Sequence, residues 1–459
     1  MENDVKEQLN NTPSEEQVQA IKTTEFMKET IKQRPINKRK LLRKLLLTIG
    51  LALIFGLVAC LTFLILEPVI SERVNPKVEE EVESVHFEEE SEEEETKIQD
   101  MIADETQLAQ QNIEIPETVT LDEEQIEQVL NRVELGTEDL LTLNQVYRDV
   151  AAEVSHSIVK VVAITQDTDW LSNTYSEEDT TSGVVVADNG RDYLILAKVG
   201  HFDNLSDLEV ELGNKETVPA TLLVNDVPTG LGIIAVTKTS VTIASRDYIS
   251  IIEMGSSSNK DLNGTPIIAL GRPLGIDNSL GIGYISSCNS VINLPDGNYK
   301  RLTTDISGSK MASGFLINTK GQLLGIIDMD YCPNDMPDVI CGMGISELKR
   351  MIEKMSNGLK IPYLGVFGTD VTDEIADEMG IPKGVYISEL EMDSPLLNAG
   401  IQSGDIITSV YGNRITAFSD FNNQRLLMEP GKTIPIKVKR QAPEGYTELS
   451  FEFELAQEP

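Results

Sequence analysis

The sequence of 459 residues is poor in the side chains that bind transition metals. The metal-binding types are three histidines and four cysteines, with no Cys-x-x-Cys pair: His86, His156, His201, Cys60, Cys288, Cys332 and Cys341. A structural zinc site needs four clustered nitrogen or sulfur ligands. We therefore expect no metal and no other cofactor. Four cysteines are also too few for a disulfide-stapled scaffold of this length.

Basic residues are scarce as well. The chain has 38 Lys and Arg against 75 Asp and Glu, a formal net charge of −37. Proteins that bind nucleic acids neutralise phosphates with Lys and Arg, so a nucleic-acid partner is not expected. The same charge argues against docking of the bulk of the chain on an anionic membrane surface.

The charge is divided among three parts of the chain. Residues 1–44 carry ten basic and seven acidic side chains, a net of +3, and are predicted to form a disordered tail. Residues 45–66 carry no charge and are mostly apolar. About 20 helical residues cross a bilayer, so this run predicts one transmembrane signal anchor, with a buried core helix as the alternative. The basic residues before it place the N-terminus in the cytoplasm and the rest outside.

The region between the anchor and the first strands is polar. Residues 67–120 are predicted to be an acidic extended linker, because residues 79–95 hold eleven Glu and no Lys or Arg, and like charges repel along a chain. Helical spacing at 121–143 predicts a short stalk, and a further helical pattern runs from 138 to about 154.

From Ile158 onward the pattern changes to short β-branched runs separated by Gly, Asn and Asp. Seven such runs lie at 158–164, 183–187, 193–197, 208–212, 265–271, 314–318 and 322–328. Many short strands with turn residues between them are typical of a sandwich or barrel. About 200 residues of this pattern predict either two small barrels or one large barrel.

Four collinear segments resemble the HtrA/DegP family of trypsin-like serine proteases. They are GVVVADNGRDYLILA within 183–236, GTPIIALGRPLGIDNSLGIGYISS at 264–287, TTDISGSKMASGFLINTKGQLLGI at 303–326 and CGMGISELKRMIEKMSNG at 341–358. The resemblance covers residues 144–358. It implies a mainly β domain with the trypsin-like double β-barrel.

The resemblance also locates the catalytic positions. This chemistry needs a Ser nucleophile, a His base and an Asp that orients the His. The His position falls on Gly200 and the Asp position on Gly230. The Ser position falls on Ala312, or on Ser313 when the alignment is anchored at Asp305. We therefore expect no catalytic residues and a pseudoprotease.

An active serine endopeptidase is the alternative. It would use Ser313 and His201 in a shifted register, although one residue along a strand reverses the side-chain face. The glycine that supplies an oxyanion N–H in the family is replaced by Lys310 or Met311. A third interpretation treats the folded domains as spacers for oligomerisation, and the resemblance implies a possible homotrimer.

Two cysteines flank the loop CPNDMPDVIC between strand-like runs. Cys332 and Cys341 are candidates for a disulfide, which an exterior location would permit. Cys288 is a competing partner or a buried free thiol.

Residues 361–457 resemble a bacterial PDZ domain, an α+β fold, through SPLLNAGIQSGDII at 394–407. PDZ domains add a peptide as a strand to a sheet edge and hold its terminal carboxylate with loop N–H groups. The resemblance implies that peptide-binding residues are Tyr363, Leu364, Gly365, Val366, Phe367 and Leu426. The alternative is a packed turn with an occluded groove.

Together these features predict a single-pass protein of the bacterial cell membrane with an extracytoplasmic protease-like domain and PDZ domain. Its expected function is to bind peptide ends or unfolded segments in envelope protein quality control.

Overall fold

The structure, a computed structural model, describes residues 47, 49, 55, 82–88, 136–168, 174–200, 202 and 205–455. The predicted tail, the helical pattern at 121–133 and most of the predicted membrane span lie outside the described residues. Leu47, Ile49 and Phe55, the three described residues of that span, are helical and exposed. Among the helices that the structure describes, none has the length and apolar character needed to cross a bilayer.

The described chain from residue 136 begins with helix α1 (Thr137–Val154), which confirms the helical pattern at 138–154. The N–H of Gly136 donates to Asp139 Oδ2 at 2.8 Å and so closes the first turn. Tyr147, Ala151 and Val154 recur at helical spacing and are buried. This face joins the core between the two barrels that follow.

Strands β1 to β6 form a closed barrel in the order β1-β2-β3-β6-β5-β4. Their bounds are β1 (Ile158–Thr168), β2 (Thr174–Asp188), β3 (Asp192–Lys198), β4 (Leu205–Glu211), β5 (Thr217–Asp226) and β6 (Leu231–Thr237). A short helix, α2 (Ile243–Arg246), leads towards the second barrel.

Strands β7 to β12 form a second closed barrel in the order β10-β11-β12-β9-β8-β7. Their bounds are β7 (Pro266–Arg272), β8 (Ser279–Leu294), β9 (Gly297–Ser307), β10 (Ser313–Ile317), β11 (Leu323–Asp328) and β12 (Val339–Gly344). Helix α3 (Lys349–Ser356) then packs Met351, Ile352 and Met355 into the core that both barrels share. Of the two barrel arrangements that the sequence allows, the structure has the pair of small barrels.

The last unit is a sheet in the order β13-β14-β15-β17-β18, with β16 beside β15 and a core of its own. Its strands are β13 (Val366–Val371), β14 (Gly384–Leu390), β15 (Ile406–Val410), β16 (Asn413–Arg414), β17 (Thr433–Ala442) and β18 (Gly445–Glu454). Its helices are α4 (Asp373–Met379), α5 (Pro395–Asn398) and α6 (Phe418–Leu426). Four 3₁₀ turns complete the described elements, at Ser155–Ser157, Lys238–Ser240, Met329–Tyr331 and Ser346–Leu348.

Residues 82–88, which we call the strap, lie within the predicted acidic linker and are packed against α3. Val85 is 8% exposed. Its N–H donates to Asn357 Oδ1, and its carbonyl accepts from Asn357 Nδ2, both at 2.8 Å. The N–H of Phe87 donates to Glu353 Oε2 at 3.0 Å. The strap is therefore one part of the predicted extended linker that is attached to the helix, through paired backbone hydrogen bonds and one buried apolar side chain.

Cys288, Cys332 and Cys341 are free thiols, so the disulfide expected between Cys332 and Cys341 is not formed in this structure. The Cys332 thiol donates instead to the carbonyl of Val339 at 3.2 Å. Burial, followed by the interaction with Cys341, raises the pKa of Cys332 to about 12. A protonated thiol is a poor nucleophile for disulfide exchange.

Replacing Asn357 with Ala should release the strap. A buried hydrogen-bond partner is lost at both the N–H and the carbonyl of Val85, at a cost of about 1–3 kcal/mol in local stability. Hydrogen exchange of the Val85 and Phe87 amides should therefore become about tenfold faster or more. Asn398→Ala, at an exposed position of α5, is the control. Unchanged protection at Val85 in the Asn357 variant would contradict the packing described here.

Candidate functional site

The positions that the resemblance assigns to the catalytic His and Asp lie side by side between β3 and β6. The N–H groups of Val199 and Gly200 both donate to the carbonyl of Gly230, at 2.7 and 2.9 Å. A Cβ atom on Gly200 would lie 2.7 Å from the Cα of Gly230, closer than real Cβ contacts allow. Backbone thus fills the space in which an imidazole and a carboxylate would have to meet.

A lysine side chain lies next to these glycines. Lys198 Cε lies 3.9 Å from where a Cβ of Gly230 would be. Its Nζ pairs with Asp328 Oδ1 at 2.7 Å and with Asp330 Oδ2 at 2.8 Å. Burial lowers the pKa of Lys198, but the two carboxylates outweigh this and raise it overall. This ion pair joins β3 of the first barrel to the end of β11 of the second.

Ser313, the nucleophile of the alternative enzyme, is the first residue of β10. Its Oγ accepts the N–H of Ser182 at 3.3 Å and lies 3.4 Å from Ser182 Oγ. A serine hydroxyl is not a general base near neutral pH. His201 lies outside the described residues, so the register shift that this alternative requires stays a prediction. Ala312, the other candidate position, packs partly buried against the core of the second barrel.

Whether the nucleophile is placed at 312 or at 313, the turn before Ser313 engages one of the two N–H groups that an oxyanion hole would need. An oxyanion hole of this type takes the N–H of the nucleophile and the N–H two residues before it. The N–H of Ala312 donates to the Ser309 carbonyl at 2.9 Å. The N–H of Met311 donates to Ser309 Oγ at 3.1 Å. A nucleophile at 312 or at 313 would therefore lack one donor, a loss of about 10²–10³ in kcat.

A small cavity lies between the barrels beside Ser182. Its volume is about 20 Å³, which is room for about one water molecule. The carboxylate of Asp277 lines this cavity and forms two ion pairs there. Its Oδ2 lies 2.9 Å from Lys160 Nζ, and its Oδ1 lies 2.9 Å from Arg272 Nε.

Gly200→Ala should destabilise the protein, because the new Cβ meets backbone rather than a movable side chain. Overpacking of this kind costs about 1–3 kcal/mol, so the melting temperature should fall by several degrees. The matched control is Gly213→Ala, where nothing lies within 4 Å of an added Cβ. Equal melting temperatures for the two variants would contradict the contact between Gly200 and Gly230.

The second candidate site is the loop 363–366 that precedes β13. Gly365 has φ +66°, which lets successive N–H groups converge on one point as an anion-binding nest. The loop is braced from α5 and the turn before it: Ser394 Oγ donates to the Leu364 carbonyl at 2.6 Å, and Tyr363 Oη donates to Asp393 Oδ1 at 3.2 Å. Burial raises the pKa of Tyr363, so its hydroxyl stays a donor.

A groove lies between the edge strand β13 and α6. Its volume is about 900 Å³, and its lining includes Thr369, Phe418 and Leu426. Leu364 and Val366, in the loop and at the start of β13, are fully buried. Of the six predicted peptide-binding residues, only Leu426 lines this groove. The other five belong to the loop and to the start of β13, outside its lining.

The convergent N–H groups hold a carboxylate that comes from the chain itself. Asp296, in the turn between β8 and β9, accepts from the N–H groups of Leu364, Gly365 and Val366 at 2.6, 3.0 and 2.9 Å. Asp296 is 1% exposed, and Arg425 Nη1 lies 3.9 Å from its Oδ2. Burial raises the pKa of Asp296, whereas Arg425 and the three N–H groups act in the opposite direction.

Sequence reasoning missed Asp296 and Arg425. The sequence Leu-Pro-Asp-Gly at 294–297 is a turn signal, and no local pattern tells where a turn docks. The occluded groove was an open alternative, and in this structure the carboxylate-binding end of the groove is occupied.

Comparisons with known proteins bear on both sites. A family model described as PDZ domain matches residues 362–452. The chain is 27% identical over 329 residues to the serine protease Do-like HtrA of Bacillus subtilis, covering 64% of this chain and 70% of that protein. It is 25% identical over 276 residues to the periplasmic serine endoprotease DegP of Salmonella typhimurium, covering 57% and 54%. It is also 27% identical to the serine endoprotease DegS of Escherichia coli, covering 56% and 72%.

Among solved structures, the HtrA-type protease AlgW with decapeptide aligns with a TM-score of 0.47 at 17% identity, covering 68% of this chain and 99% of that chain. The aligned regions span between 54% and 78% of the lengths of the curated relatives.

Proposed function

Because the chain belongs to the HtrA/DegP family, with a trypsin-like double barrel and a C-terminal PDZ domain, we propose that it is a membrane-anchored pseudoprotease that binds peptide ends. Its role would be to capture exposed chain ends or unfolded segments in envelope protein quality control. The single observation that carries the inactive state is the backbone contact between Gly200 and Gly230.

The loss of activity is supported at three separate points. Neither glycine has a side chain for proton transfer, the hydroxyl of Ser313 is bonded to Ser182, and one oxyanion donor is engaged in a turn. Removing one triad member already costs several orders of magnitude in rate. No single register change of the 309–313 turn restores the other two features.

The membrane anchor rests on the uncharged run at 45–66 and the basic residues before it. The positive-inside rule then puts the barrels and the PDZ domain outside the cytoplasm. A homotrimer through the barrel domain, which the family resemblance implies, belongs to the same proposal.

Peptide binding is supported by the chemistry of the loop 363–366. Three N–H groups directed at one carboxylate, beside the edge strand β13 and the groove that Phe418 and Leu426 line, form the receptor that an extended C-terminus requires. A chain with these features retains a binding function when its catalytic function is lost.

A fluorophosphonate probe, which reacts with activated serines, should not label the full-length protein, and casein should not be degraded. Ser313→Ala should behave as the unmodified protein in both assays, because its hydroxyl has no base. Trypsin in the same mixture is the positive control. Labelling that disappears in Ser313→Ala would instead establish the serine endopeptidase alternative.

Peptides with a free C-terminal carboxylate should be enriched from a random library over the same peptides with a C-terminal amide. Gly365→Ala should weaken this binding about tenfold or more, because a side chain disfavours φ +66° and misdirects the loop N–H groups. Gly380→Ala is the matched control, since Gly380 has φ +65° at the end of α4 with open space around it. Equal binding by both variants would refute the loop as the carboxylate receptor.

A further inference from the structure

We propose that the turn between β8 and β9 is an internal ligand of the PDZ groove, with Asp296 in place of the C-terminal carboxylate, so that an external peptide binds only when this turn withdraws. The inference rests on the proposed peptide-binding function and adds its regulation. Its basis is that a segment of the second barrel makes, on β13 and its loop, the bonds that a bound peptide end would make.

The first similarity to a bound peptide end is the carboxylate of Asp296. A peptide end presents two carboxylate oxygens to the loop N–H groups. Asp296 presents Oδ2 to Leu364 and Gly365 and Oδ1 to Val366. Both oxygens are therefore engaged, and the three donors of the loop are satisfied without a peptide.

The second similarity to a bound peptide end is the set of hydrogen bonds to the edge of β13. In β-augmentation, the ligand N–H groups pair with carbonyls of alternate residues on the edge strand. The N–H of Asp296 donates to the Val366 carbonyl at 2.8 Å. Two residues further on, Asn298 Nδ2 donates to the Gly368 carbonyl at 3.0 Å. The turn thus follows the β13 edge over the first two ligand positions.

The backbone conformation of Asp296 indicates that these contacts are specific. Pro295 and Asp296 are the two residues between the paired positions Leu294 and Gly297, and Asp296 has φ +62°. Glycine is the usual residue at the positive-φ position after a proline. Asp at such a position strains the backbone by about 1–3 kcal/mol, which its buried hydrogen bonds offset.

Arg425 completes the receptor for either ligand. It is 2% exposed, and its position is held by bonds to the Pro362 carbonyl and to Asn422 Oδ1. A buried cation without its anion is strongly destabilising. When Asp296 leaves, Arg425 and the three N–H groups face an unfilled site, so the displacing ligand must bring an anion of its own.

This defines the partner as a chain end with a free carboxylate. Its last N–H would take the Val366 carbonyl from Asp296, and its side chain would enter the space near Leu426. An amidated end fails because its NH₂ group would face N–H donors. If the withdrawn state is populated to about 1–10%, apparent affinity is reduced about 10–100-fold relative to an open groove.

The test uses full-length protein in detergent micelles and two variants. Asp296→Gly removes the carboxylate and suits the positive φ, so the turn should still form. Asp296→Asn keeps the shape but places NH₂ among donors. Asp305→Asn, at an exposed position on β9 of the same hairpin, is the matched control. The probe is a fluorescent pool of decapeptides with random internal sequence and an apolar C-terminal residue, as free acid and as amide.

We expect both Asp296 variants to bind the free-acid pool about 10–100-fold more tightly than the unmodified protein and the Asp305 control. Hydrogen exchange of the Leu364, Gly365 and Val366 amides should also be faster in the peptide-free variants. Unchanged exchange at these three amides overturns the internal ligand whatever the peptide result. Faster exchange with equal peptide affinity in all proteins overturns its gating role but leaves peptide binding intact. Faster exchange with no binding by any protein overturns the peptide-binding proposal, and the gating role falls with it.

Discussion

The buried carboxylate of Asp296 is the contact on which the arrangement of barrel and PDZ domain depends. A charge or polar group removed from water is costly unless every lone pair finds a donor. Three loop N–H groups supply donors to both carboxylate oxygens, and the Arg425 guanidinium supplies an opposite charge 3.9 Å from Oδ2. Each partner in turn needs the others: Gly365 must keep its positive φ, and Arg425 must be held by Asn422 and Pro362. The contact therefore links the conformation of the second barrel to the state of the groove.

The PDZ loop and the barrel interface differ in what their backbone N–H groups bind. At the groove, backbone N–H groups are exposed to an anion, whereas between β3 and β6 the backbone of Gly200 closes on the carbonyl of Gly230. Backbone N–H groups can serve as receptor or as filler, depending on whether a neighbouring acceptor already satisfies them. The turn 309–312 satisfies its own donors in the same way. One site thus presents converging donors to a negative charge, whereas in the other one of the two oxyanion donors is already engaged in either register.

Local patterns predicted seven of the twelve barrel strands and the helix at 138–154, because burial imposes a period on the side chains that a sequence displays directly. Strand β3 (Asp192–Lys198) is an example, since the predicted run at 193–197 lies within it. The pattern did not reveal that Val85 would be buried in an acidic segment, since Val82, Val85 and Phe87 are too few to show a helical or strand period. Nor could it place Asp296 in the loop 363–366. That contact joins residues about seventy apart, and it depends on the length of the β8–β9 hairpin and on the position of α3.

The two ends of the β8–β9 hairpin lie in different surroundings. At its base, β9 leads into the turn 308–312, where no donor set for acyl transfer is assembled. At its tip, the same hairpin carries a complete set of bonds to the PDZ loop and to the edge of β13. A displaced tip would exchange an internal carboxylate for an external one, with nearly the same hydrogen bonds on both sides of the equilibrium. The outcome then depends on the effective concentration of the tethered turn, which favours the internal carboxylate, and on the strain at φ +62°, which favours its release.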